Sequence, residues 1–177
     1  MWEVPFREHA RTHGRDVSVL RVAALIRRGG RIAEPAPAPP PLFPGAEVFG
    51  GSVQVRFINA GGCNDCPAEV SAAFGPVSDV ERYGVRLTPS PRHADVLVIT
   101  GAVTRNMAEP LRRTIEAAPA PRFVIAVGDC ALTGGVFADG YGLAGLVSDF
   151  VHVDLEVPGS PPAPDAIVRA LRRMTGR

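Results

Sequence analysis

The sequence predicts an α/β domain: a parallel sheet with helices on both faces. Two observations carry this. Short runs of β-branched and aromatic residues alternate with helical stretches, the order that builds strand–helix–strand units. Two of those runs are apolar nearly throughout, as a strand buried on both faces must be.

The elements follow in order. Val17 to Arg28 reads as a helix, with Val19, Val22, Ala23 and Ile26 at helical spacing and Gly29–Gly30 as its stop. Pro35 to Pro44 is proline-rich and must be extended or irregular. The expected organisation is therefore a helical appendage over 1–33, a linker or docking arm over 34–50, and the α/β domain over 51–177. Val53–Ile58 is the first strand of that domain, with Tyr83–Leu87 a short additional one. Ala94–Thr100 and Arg122–Val127 are the two apolar strands. Phe150–Leu155 alternates more and is expected as the fourth, which puts His152 inside a strand and His93 on the surface before one. Helices are expected at Pro67–Phe74, Arg105–Ala118 and Pro164–Met174. In the last, Pro164 suits the first helical position and Asp165 the first turn. Its apolar face is Ile167, Ala170, Leu171 and Met174.

Composition narrows the function. A chain of 177 residues with 46% hydrophobic content supports one domain with a real core. A net charge of +1 suggests neither nucleic acid nor an anionic membrane as a partner. Every basic residue besides histidine is arginine. Without lysine, no Schiff base and no Walker A phosphate loop can form. No apolar run is long enough to span a bilayer. The segment Met1–Arg7 lacks the apolar core of a secretory signal, and Arg27–Arg28 is followed by glycines rather than by an apolar run. A cytoplasmic location is expected, where three cysteines are better read as ligands or free thiols than as a disulfide framework.

The cysteines fall on two loops. Cys63 and Cys66 follow the first strand in Gly61-Gly62-Cys63-Asn64-Asp65-Cys66, and Cys130 follows the third in Gly128-Asp129-Cys130. A third loop, Val157-Pro158-Gly159-Ser160-Pro161-Pro162, follows the fourth strand. Loops after parallel strands converge at one edge of the sheet, where such folds bind ligands. A Cys-x-x-Cys by itself fits a redox motif, half a zinc site or half a cluster site. Glycines in all three loops let backbone approach a bulky group. Cys66 near a helix start gains from the amides there. Zinc is less suited, because only three cysteines are present for a site that wants four nitrogen or sulfur ligands.

At these residues the chain resembles the B subunit of NADH–quinone oxidoreductase (respiratory complex I) and the small subunit of membrane-bound nickel–iron hydrogenases of the formate hydrogenlyase type. The resemblance runs from about Ser52 to Met174. It rests on Cys63-Asn64-Asp65-Cys66-Pro67-Ala68-Glu69, Asp79–Val85, Ser90–Gly101, Gly128-Asp129-Cys130-Ala131 and Pro158–Pro162. It implies a flavodoxin-like domain holding one 4Fe–4S cluster, the last of an electron-transfer chain. It also implies a hydrogenase or complex I-like large subunit over that cluster, a ferredoxin-like cluster subunit, membrane antiporter-like subunits, and a peripheral place on the cytoplasmic face of the membrane. The Cys63-x-x-Cys66 spacing is similar to the hydrogenase side, whereas Thr104-Arg105-Asn106-Met107 is similar to the complex I side as well.

Two departures matter. Ser160 stands where the family has its fourth cysteine, and a hydroxyl gives up its proton far less readily than a thiol. Three outcomes stay open: Ser160 binds as an alkoxide; the cluster is 3Fe–4S or takes an oxygen from Asp65, Asp129 or Glu69; or the cluster is lost and the subunit is structural. Asp65, in place of a small glycine, adds negative charge and would lower a cluster's potential. Glu69 matches an acidic position of the family motif. It is either a proton-transfer group or a capping or interface carboxylate. A flavin- or nucleotide-binding module on the same fold is the third functional class, supported by fold analogy alone.

Overall fold

The computed structural model describes residues 38–177 together with Ala23, Ala24, Ile26 and Arg27. Those four are helical, within the helix expected over 17–28; the other residues of that span and residues 29–37 lie outside the described residues. The chain divides into two units, Met1–Ala38 and Pro39–Arg177, and the second carries every candidate site residue.

Its strands are β1 (Val53–Asn59), β2 (Val85–Leu87), β3 (Val96–Thr100), β4 (Val103–Thr104), β5 (Phe123–Val127), β6 (Leu143–Gly145) and β7 (Leu155–Val157). Its helices are α1 (Asp65–Ala73), α2 (Arg105–Ala117), α3 (Asp129–Thr133) and α4 (Pro164–Thr175). Five strands form one sheet in the order β2-β1-β3-β5-β7, parallel throughout. β4 and β6 pair separately and antiparallel.

β3 is central and buried along its whole length, which is why its sequence lacks polar alternation. Its residues still alternate between faces, as the pleat requires. Val96 and Val98 join Val53, Val55, Ile125 and Val127 against Val70 of α1 and Ile167, Leu171 and Met174 of α4. Leu97 and Ile99 join Ile58, Val124 and Ala126 against Leu111 and Ile115 of α2. Helices thus cover both faces, and the expected fold class holds.

The fourth strand is corrected. Phe150–Leu155 is not a strand; β7 begins at Leu155. Val147–Asp149 is a short 3-10 turn, and Phe150, Val151 and Val153 pack beneath the second core cluster. Asp154 then locks onto β5: Val124 N donates to Asp154 Oδ2 at 2.7 Å, and Asp154 N donates to Val124 O at 3.0 Å. The apolar alternation belongs to a coil closing the sheet's end, which produces the same pattern as a strand. His152 consequently lies outside any strand and is exposed, 3.9 Å from Asp154 Oδ1. His93 is exposed as expected.

The domain's packing begins before residue 51. Phe43 N donates to Arg173 O at 2.7 Å, and Ala46 is buried. The rings of Phe43 and Phe49 meet Phe123 edge-on at 5.4 and 5.6 Å. Phe43, Ala46 and Phe49, within the 34–50 segment expected as a linker or docking arm, therefore pack against this unit's core. Among the described residues no helix is long and apolar enough to cross a membrane.

A candidate cluster site at the carboxyl edge of the sheet

β1 ends at Asn59, and the chain is immediately fastened to its neighbours. Ala60 N donates to Thr100 O at 2.9 Å, and Thr104 N to Ala60 O at 3.1 Å. Asn59 Oδ1 accepts from Gly61 N at 3.1 Å. The loop then lies directly on Gly101, where a Cβ would stand 1.4 Å from Gly61 O. No side chain fits there. The loop delivers Cys63, exposed, and α1 starts two residues later at Asp65, with Cys66, buried, as its second residue.

β5 delivers the third thiol. Gly128, with φ 93°, turns the chain into the short helix α3, whose second residue is Cys130, also buried. A Cβ on Gly128 would stand 2.5 Å from Cys66 Sγ. One on Gly135, just beyond α3, would stand 3.0 Å from Cys130 Sγ. Both buried sulfurs thus rest on glycine backbone, and the Cys66 thiol sits against the loop that carries Cys130.

The thiols feel one another. Burial pushes Cys66 up to about 11, reinforced by Cys130, Cys63, Asp65 and Asp129. Cys130 is raised by burial first, then by Cys63 and Asp129, against partly opposing backbone hydrogen bonds. The Cys66 and Cys130 thiols therefore resist ionisation until a positive centre joins them, and metal binding deprotonates such thiols outright.

The chemistry of the donor set can be matched to the candidates. Among the described residues no group of three His, Cys, Asp or Glu side chains closes around a single metal ion. A lone zinc is therefore poorly served. A cubane cluster places its irons at separate corners, so its ligands stand further apart. Cys63, Cys66 and Cys130, on two loops packed through glycine backbone, form the soft thiol set that iron–sulfur chemistry draws on. The loop that carries Ser160 is tied to the loop that carries Cys130: Gly128 N donates to Val157 O and Asp129 N to Gly159 O, both at 2.8 Å. Gly159 N donates to Asp129 Oδ1 at 2.8 Å. Ser160 follows Gly159 and is exposed. Glu69 is half-buried on α1, one turn past Cys66.

Two features escaped the sequence reading. The Asp129–Gly159 bonds had no signal beyond an acidic residue opening a glycine loop. An apolar cavity of about 340 Å³ opens beside Cys63, walled by Gly62, Ala102, Thr104, Phe137 and Leu143. Its wall draws on β4 and β6, which are too short for the sequence pattern to reveal.

Residues 63–174 match the family described as NADH ubiquinone oxidoreductase, 20 kDa subunit. The chain is 42% identical over 125 residues to a probable membrane-bound hydrogenase subunit, mbhJ, of Pyrococcus furiosus, covering 71% of this chain and 75% of that one. It is 45% identical over 115 residues to formate hydrogenlyase subunit 7 of Escherichia coli, covering 65% of this chain but only 45% of that one. Among solved structures, the membrane-bound sulfane sulfur reductase, an archaeal respiratory membrane complex, contains a chain that superposes with a TM-score of 0.63 at 29% identity, covering 74% of both chains.

Proposed function

Because the chain belongs to the NADH ubiquinone oxidoreductase 20 kDa subunit family, we propose that it is the electron-transfer small subunit of a complex I-like or membrane-bound nickel–iron hydrogenase complex. At the coarser level it is a subunit of an oxidoreductase complex, like its relatives. The observation that carries the finer reading is the meeting of Cys66 Sγ with the Gly128 backbone, two residues before Cys130. Two sequence-distant loops thereby bring three thiols to one edge of the sheet.

In this reading Cys63, Cys66 and Cys130 hold three corners of a 4Fe–4S cluster, and Ser160 stands at the fourth. When bound, such a cluster exchanges single electrons with a donor and an acceptor. The chain's own residues do the rest. Burial of Cys66 and Cys130 keeps water from two of the ligand positions. The carboxylates of Asp65 and Asp129 add negative charge, which favours a low reduction potential. Glu69 lies one turn along α1 and is assigned proton transfer toward the partner's active site.

A cluster at an open sheet edge needs a covering partner, and a hydrogenase or complex I-like large subunit fills that place. A ferredoxin-like cluster subunit and membrane antiporter-like subunits complete the assembly, with this chain peripheral on the cytoplasmic face. Colour and iron content after anaerobic purification with the large subunit test the reading. A brown protein with iron and acid-labile sulfide supports it. A colourless, iron-free chain makes it a structural subunit, and a yellow one a flavin module.

A further inference from the structure

The parallel pairing of β5 and β7 ends at Val127 and Val157, yet the two segments stay bonded beyond it. Gly128 N and Asp129 N donate to Val157 O and Gly159 O. A continuing strand would next offer the carbonyl of residue 128 to the amide of residue 159. Here that carbonyl has turned into α3, where it accepts from Ala131 N at 3.0 Å. The side chain takes its place: Asp129 Oδ1 accepts from Gly159 N at 2.8 Å. Asp129 therefore grips Gly159 through both its N–H and its C=O.

The fold uses the same grip twice more. Asp95 holds Gln54, with Gln54 N donating to Asp95 Oδ2 at 2.7 Å and Asp95 N to Gln54 O at 2.8 Å. Asp154 holds Val124 in the same way. Those two pairs lie at the amino ends of strands, far from the thiols, and fix register. The Asp129 pair lies at the carboxyl edge, and the residues next to it are Cys130 on one side and Ser160 on the other. Its Oδ1 accepts from Gly159 N, which ties the Cys130 loop to the Ser160 loop.

We propose that Asp129 is the positioning residue of the fourth ligand position, its carboxylate clamping the Gly159–Ser160 segment beside Cys130. The clamp itself is independent of the cluster; the consequence for Ser160 rests on the cluster-binding reading. A hydrogen bond to a charged group, lost from a part-buried amide, leaves that amide unsatisfied. The segment would then open without its strand partners opening.

Two readouts on the full chain separate the clamp from the cluster. The first is amide hydrogen exchange at Gly159 in the iron-free chain, for wild type, D129A and D129N. D129A is expected to exchange about tenfold faster or more, with D129N between, since an amide oxygen still accepts. Equal exchange in wild type and D129A overturns the clamp. The second is electron paramagnetic resonance with iron content on the anaerobically purified complex. D129A is expected to move from about four irons towards about three, with an oxidised-state signal, while D129N keeps the wild-type signature. D129A with an unchanged signature, or D129N failing as fully as D129A, overturns the positioning role. Should wild type hold no iron, the electron-transfer reading fails, and the exchange measurement still decides the clamp. Should D129A not fold, wild type against D129N decides it: unprotected Gly159 in wild type overturns the proposal.

Discussion

Cys66 Sγ occupies the space that a side chain at residue 128 would need: a Cβ there would stand 2.5 Å from it. Gly128 also has φ 93° and ψ 150°, a region that essentially only glycine enters. The contact joins the loop after β1 to the loop after β5, and the candidate site exists because of it.

Replacing Gly128 with alanine should therefore damage the site twice. Overpacking costs about 1–3 kcal/mol, and the backbone conformation adds about 1–3 kcal/mol. G128A is expected to lower the denaturant midpoint of the iron-free chain and to abolish iron retention. G128A with wild-type stability and iron content would mean that the two loops are not coupled as described.

Ser160 should be replaceable to advantage. S160C supplies a thiol where the hydroxyl is the weakest member of the donor set. It is expected to give about four irons per chain that survive brief exposure to air better than wild type. S160A is expected to hold about three. If S160A retains the wild-type iron content, the fourth corner is not at residue 160.

The raised thiol at Cys66 sets a pH dependence. Its folded value of about 11 lies above its ordinary 9.0, so the folded iron-free chain keeps this proton after the unfolded chain has lost it. Stability is then fully present below about pH 9 and falls as pH rises toward 11. Denaturant unfolding of wild type and C66A across that window checks this: the wild-type curve should decline more steeply. Parallel curves would contradict it.

Glu69→Gln tests the proton-transfer assignment. The side chain is half-buried at one turn from Cys66. Turnover of the assembled complex should fall on the order of a hundredfold with a shifted pH profile, while iron content and stability stay within about 0.5 kcal/mol of wild type. Unchanged turnover and pH profile would return Glu69 to an interface role.

Much of the fold is legible in the residues because burial on both faces leaves a plain signature. Val96–Thr100 and Phe123–Val127 are continuous apolar runs, and both are central strands. Parallel strands send their following loops to one edge, so the convergence of Cys63, Cys66 and Cys130 could be argued from topology alone. The misplaced fourth strand shows where that logic stops. Phe150, Val151 and Val153 bury apolar surface as coil, and burial is what the pattern reports. α3 and the β4–β6 pair are too short for periodicity to register. The hold of Asp129 on Gly159 spans 30 residues, and nothing local marks which amide a carboxylate will find.

In the proposed function this chain carries electrons through a cluster held by Cys63, Cys66 and Cys130. Iron and acid-labile sulfide per chain, with electron paramagnetic resonance, on anaerobically purified protein with its large subunit tests it most directly. About four irons and a signal in the reduced state are expected. A chain without iron that still assembles with its partner would contradict it, and would leave a structural subunit on the same fold.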